Sequence, residues 1–259
     1  MKRFLYRLAV FTLVSLMLLG AYNIYAIDGK YRQEQKTHEM LLAYKPPVAE
    51  GSEKKITKWT DISEEKEKEE PSPNESIQNM KSSLNEEIVG WLSIPDTGID
   101  YPFLQAKDNQ YYLSRDPERK ESKSGSIFLD SRSDPSFKEF NSILYGHHMK
   151  NGSMFGELAN YSLEDYFNNH PQANLYLEYE SFVLDIFACL VIRADNKYIY
   201  GTLAPTPDER AKYFEYVKKY AKAYRDVEIS DDDRIVTLST CSYDFEDARM
   251  VVLGRIKAI

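Results

Sequence analysis

The chain has 259 residues, 42% of them hydrophobic and 13% aromatic, enough for one sizeable domain with accessory segments. A formal net charge of −8 argues against nucleic acid as a partner, which demands a basic face. The two cysteines, Cys189 and Cys241, are too few for a disulfide scaffold.

Lys2, Arg3 and Arg7 precede an apolar run, Leu8–Ala26, that is 19 residues long, close to the roughly 20 that cross a bilayer as a helix. The basic flank leaves the short N-terminus in the cytoplasm and the chain beyond Ala26 outside. A cleaved signal peptide is the rival reading, but Ile24-Tyr25-Ala26 is a poor cleavage site. Residues 28–45 read as a helical stalk. Pro46 to Asn74 has few apolar residues, dense charge and four prolines, so it cannot offset its ordering entropy and reads as a flexible linker. The expected organisation is an anchor over 1–27, stalk and linker over 28–75, and a folded domain over 76–259.

In that domain Ile77, Met80, Leu84 and Ile88 recur at helical spacing. Eight strand-like runs come next, separated by turn residues: 90–95, 99–104, 126–129, 142–145, 175–179, 182–192, 234–241 and 250–256. They predict a mostly β fold, a closed or nearly closed barrel. Glu180-Ser181 suggests a tight hairpin. Ser162 to Asp165 opens a short helix ending before His170-Pro171. Thr206-Pro-Asp-Glu209 is a capping box with proline at the first helical position, predicting a longer helix through Tyr224.

The run Ile235-Val-Thr-Leu-Ser-Thr-Cys241 alternates at period two. Val236, Leu238 and Thr240 share one face; Ile235, Thr237, Ser239 and Cys241 share the other, more polar one. Cys241 therefore ends a strand away from the apolar row, whereas Cys189, in Phe187-Ala-Cys-Leu-Val-Ile192, is apolar on both parities and reads as core. A nucleophilic thiol needs a proton partner and a positive environment. Of four histidines, His38 lies in the stalk, His170 precedes Pro171, and His147 and His148 follow a strand in Leu144-Tyr-Gly-His-His-Met149. Arg249 lies eight residues after Cys241, so the chain returns near the thiol. It reads either as a donor to a developing oxyanion or as a salt-bridge partner of Asp244, Glu246 or Asp247. No Cys/His/Asp cluster has metal-ligand spacing, and no metal or cofactor is expected.

Thr237-Leu-Ser-Thr-Cys241, with Arg249 on the next strand and Tyr145-Gly-His147 upstream, resembles the motifs of the class B sortases over 76–259. The anchor and the long helix between the sixth and seventh strands also resemble class B. The resemblance implies an eight-stranded sortase barrel and a membrane-anchored cysteine transpeptidase with its catalytic domain outside the cell. Such an enzyme cleaves an Asn-Pro-x-Thr-x type sorting signal on a secreted protein. It joins the acyl fragment to an amine of a peptidoglycan precursor or a pilin. Cys241 would be the nucleophile, His147 rather than His148 the acid/base group, and Arg249 the oxyanion donor. Asn109 and Leu113 in Gln105–Leu113, Tyr145, Ser239, and Tyr198 with Ile199 match substrate-groove positions. Ser242 stands where some members carry an acidic residue, which implies a different substrate preference. A peptidase that releases the acyl group to water is the alternative, and a binding module with Cys241 in its core is the non-enzymatic one.

Overall fold

The computed structural model describes residues 2–47, 72–201, 205–227, 230, 233–242 and 245–258. It divides at Ala43/Tyr44 into two compact units. The first is one continuous helix, α1 (Lys2–Leu42). At 1.5 Å per residue it is about 60 Å long, twice the roughly 30 Å of a bilayer core. Its apolar half has a mean hydropathy of 1.9 over the best window, which makes it a candidate membrane span, and its second half carries the charged stalk sequence. The expected linker falls largely on 48–71, outside the described residues.

The second unit opens with α2 (Glu75–Ser83), capped by the Asn74 side chain and anchored by Ile77 and Met80. The barrel is built from β1 (Ile88–Ser93), β2 (Asp100–Leu104), β3 (Ile127–Leu129), β4 (Asn141–Tyr145), β5 (Gln172–Leu177) and β6 (Ser181–Arg193). Before β5 lies a short helix, α3 (Glu164–Asn169), and after β6 come α4 (Lys197–Tyr200) and α5 (Pro207–Tyr220). A two-residue strand β7 (Ala223–Tyr224) precedes the last two barrel strands, β8 (Ile235–Cys241) and β9 (Ala248–Ala258). Around the barrel the order is β5-β1-β2-β3-β4-β8-β9-β6, and β5 pairs with β6 to close eight strands. Each of the eight predicted runs overlaps one of these strands, and the turn at 178–180 is the predicted hairpin.

Helix α5 begins on the predicted capping box, with Thr206 and Glu209 bonded reciprocally and Pro207 in the first turn. It stops at Tyr220, four residues short of the expected end. Ala221 turns extended, Lys222 N–H donates to the Cys189 carbonyl, and Ala223–Tyr224 pair with β6. Strand pairing against β6 thus outcompetes another helical turn.

Two cores result. The barrel interior holds Leu92, Phe103, Leu144, Leu184, Val236, Leu238 and Val252. The second lies on the outer wall, where Ile235, Phe187, Leu190, Val251 and Leu253 pack under Ile199, Tyr213 and Val217 of α4 and α5. This corrects the polar reading of the Cys241 face. Thr237 and Ser239 are buried with satisfied hydroxyls, Thr237 bonding Asn141 Oδ1 at 2.7 Å. Cys241 alone in that row is exposed. Cys189 is fully buried, as its apolar surroundings predicted, with its Sγ 3.2 Å from Met250 Sδ.

Candidate active site

Three strand ends supply the site. β4 and β8 run parallel, with Ile143 beside Thr237 and Tyr145 beside Ser239. The ladder ends at the Tyr145–Ser239 pair, which Gly146 N–H completes by donating to the Ser239 carbonyl at 3.1 Å. His147 lies two residues beyond that pair on one side, and Cys241 two residues beyond it on the other. On the other edge of β8, Cys241 is the direct partner of Arg249 on β9. His147, Cys241 and Arg249 therefore make up a row at one end of the sheet, Cys241 and Arg249 as direct partners and His147 two residues past the end of β4.

Gly146 is required by packing and not by a turn. Its φ is not positive; instead a Cβ there would lie 2.5 Å from Ile127 Cδ1 and 2.8 Å from the Phe155 ring. The chain thus passes hard against the barrel core just before His147. Phe155 N–H then holds the His147 carbonyl at 3.0 Å. His147 Nε2 lies 2.7 Å from the Leu113 carbonyl, a bond that fixes the plane of the ring. Among the described residues no hydrogen bond joins this imidazole to the Cys241 thiol. His148, of opposite parity, pairs with Met154 through the backbone, and burial pushes its pKa down.

Arg249 is half-buried and donates through Nη1 to the Ala248 carbonyl at 3.0 Å. Among the described residues no carboxylate lies within ion-pair distance of it, so Glu246 and Asp247 do not claim it. Nor do any three His, Cys, Asp or Glu side chains among them cluster to hold a metal ion.

The residues expected to line a groove divide into two groups. Leu113, on a 3-10 turn (Tyr111–Leu113), exposes its side chain while its carbonyl meets His147. Tyr145 and Ser239 lie two residues behind the row. Asn109 sits further back, its Oδ1 accepting from Ser131 N–H at 2.7 Å. Tyr198 stacks on Tyr216 of α5 at 4.5 Å, and Ile199 is buried in the outer core with its carbonyl bonded to Asn141.

Sequence reasoning missed Tyr200, which faces the row. Its hydroxyl shares a 2.8 Å hydrogen bond with Ser239, and its ring stacks on Tyr145 at 6.4 Å. Burial pushes its pKa up to about 12 against the opposing pull of Ser239 and Arg249, so the phenol stays neutral. The Tyr145 phenol is driven higher still, by burial and then by the charge of Asp130. A Tyr-Ile-Tyr run carries no signal as to which of its rings turns inward.

An exposed thiol flanked by an imidazole and a guanidinium is an arrangement for nucleophilic acyl transfer. A sortase-domain family model matches residues 92–257, spanning the whole row. The chain belongs to the sortase family. Sortase B of Listeria monocytogenes is 41% identical over 175 residues, 67% of this chain and 71% of that protein. Among solved structures, the Staphylococcus aureus sortase B–substrate complex superposes with a TM-score of 0.67 at 29% identity, covering 73% of this chain and 87% of the other. A Streptococcus pyogenes class B sortase involved in pilus biogenesis gives 0.63 at 31%, covering 68% and 95%. The class B resemblance of the TLSTC, Gly-His and arginine motifs thus extends to the whole barrel. As a sortase, the protein is a cysteine transpeptidase that acts on substrates bearing a sorting signal.

Proposed function

We propose that this sortase is tethered by α1 with its barrel outside the cell, and that Cys241, His147 and Arg249 carry the reaction. In this reading residues 1–27 anchor the chain, 28–75 give the domain reach, and 76–259 are catalytic. The Cys241 thiolate attacks the threonine carbonyl of an Asn-Pro-x-Thr-x type signal on a secreted protein. The C–N bond breaks as His147 protonates the leaving amine, which leaves a thioester on Cys241. His147 then takes a proton from the incoming amine, and attack by that amine releases the joined product and restores the Cys241 thiolate beside the protonated imidazole. Arg249 stabilises the oxyanion of both tetrahedral intermediates, where a planar pair of donors suits a single oxygen. Asn109, Leu113, Tyr145, Ser239, Tyr198 and Ile199 are the proposed substrate contacts, Leu113 and Tyr145 foremost because they adjoin the row.

The observation that carries the reading is the direct pairing of exposed Cys241 with Arg249, beside the strand β4 that leads into His147. Both a peptidoglycan precursor and a pilin stand as acceptors; the involvement of the S. pyogenes relative in pilus biogenesis supports the second. The test is intact mass of the full chain in detergent after incubation with Asn-Pro-x-Thr-x peptides. An acyl adduct on the parent protein, absent from Cys241→Ala and discharged by an amine, is the expected result. Cleavage with no amine-joined product overturns the transfer step, and no adduct with any such peptide overturns the signal.

A further inference from the structure

Behind the row lies a buried carboxylate that the reaction does not use. Asp130, the residue after β3, is fully buried on its side chain, while its partner Arg132 is half-exposed. Arg132 holds it through Nε at 2.9 Å and Nη2 at 2.8 Å, and through its own N–H at 3.0 Å. The Tyr145 hydroxyl donates to Asp130 Oδ2 at 3.1 Å. The same Arg132 guanidinium reaches across to the Tyr200 carbonyl, at 3.4 Å from both Nη1 and Nη2. Gln105 ties down the Asp130 carbonyl at 2.9 Å.

Asp130 and its partner Arg132 thus tie together three segments: the 105–113 stretch through the Asp130 carbonyl, the end of β4 through the carboxylate, and α4 through Arg132. A buried carboxylate persists only when it is paired and hydrogen-bonded. Burial alone would raise its pKa, but the bonds and charge of Arg132 outweigh it and hold the carboxyl below the usual range. A lone structural salt bridge would need neither the Tyr145 hydroxyl nor a second anchor on α4. Both bonds instead end on the two stacked tyrosines beside Ser239.

We propose that Asp130 is the positioning residue of the substrate groove, fixing Tyr145 directly and Tyr200 through Arg132 so that the two rings hold the sorting signal in line with Cys241. It touches neither the thiol nor the substrate. The inference rests on the assignment of Cys241 as nucleophile and of Tyr145 as a groove residue.

The test uses the full chain in detergent, with Asp130→Asn, Tyr145→Phe and the double variant. Asparagine keeps the shape and an acceptor for Tyr145 but loses the charge that holds Arg132. Steady-state cleavage of an Asn-Pro-x-Thr-x peptide should show KM rising about tenfold with kcat changed less than about threefold, the mark of lost substrate placement. The double variant should lose less than the sum of the two single variants, because the two residues share one contact. Iodoacetamide labelling should proceed at Cys241 at the parent rate while buried Cys189 stays protected. An unchanged KM, or Cys189 labelling that accelerates together with the loss of activity, overturns the proposal in favour of a purely structural ion pair. If the parent cleaves no such peptide, the signal assignment falls separately, and hydrogen exchange over 197–201 decides this proposal. Faster exchange there in Asp130→Asn with Cys189 protected supports it, and unchanged exchange overturns it.

Discussion

Cys241 and Arg249 are direct cross-strand partners at the open end of the β8–β9 ladder. Opposed residues of an antiparallel pair hold their Cβ atoms about 4.5–5.5 Å apart on the same face. The proximity of thiol and guanidinium is therefore set by backbone hydrogen bonds and not by the intervening segment. Arg249→Lys should lower kcat/KM by about 10²–10³, the usual cost of one oxyanion donor, since an ammonium cannot present the planar fork. The thermal midpoint should be unchanged. A loss below about tenfold in steady-state peptide cleavage would remove Arg249 from the oxyanion role.

The two histidines should separate cleanly. His147 lies two residues past the last β4–β8 pair, as Cys241 does on β8, whereas His148 has the opposite parity and its pKa is depressed by burial. His147→Ala should reduce turnover by at least about 10², in line with the loss of a general acid/base, and His148→Ala should retain most of it. Equal losses, measured with the same peptide and amine acceptor, would undo the assignment.

Gly146→Ala probes the same strand end through packing. The added methyl would sit 2.5 Å from Ile127 Cδ1 and against the Phe155 ring, so destabilisation of about 1–3 kcal/mol is expected from overpacking. Chemical denaturation at neutral pH would read it. Activity should fall further than stability, because His147 is the next residue.

A fourth prediction concerns acid. Lys81 Nζ lies 2.5 Å from Glu178 Oε2, pinning α2 to the β5–β6 turn, and this bond holds the Glu178 carboxyl below its usual pKa. A depressed carboxylate contributes stability that is present above its unfolded value, about 4.3, and is lost as pH falls through the folded one. Glu178→Gln should thus be slightly less stable than the parent at pH 7, by under about 1 kcal/mol for a partly exposed pair. The difference should close below pH ~4; a gap of constant size in denaturant midpoints would refute the linkage.

The strands and the thiol were legible in the sequence because they rest on local signals. Period-two alternation marks β8, and the capping box at Thr206–Glu209 marks the start of α5. The residues behind the site were not. Asp130 looks like any turn aspartate until its partners, Tyr145 and Arg132, are seen to meet there. Tyr200 is told apart from Tyr198 only by which ring α4 turns toward Ser239 and which toward Tyr216. The end of α5 was missed for a similar reason: Ala223–Tyr224 have no strand signal of their own and are drawn into β7 by the edge of β6.

The position of β8 and β9 bears on when the protein becomes competent. They are the last two strands in the chain, yet they sit between β4 and β6 in the barrel. Until they insert, the wall stays open and the barrel interior lacks Val236, Leu238 and Val252. Pairings this distant in sequence form late, after the local hairpins. A partly emerged chain therefore carries an imidazole with no thiol beside it, and a thiol not yet zipped to β9 has no guanidinium. On the proposed assignment reactivity arrives with closure, because only then do Cys241 and Arg249 become partners.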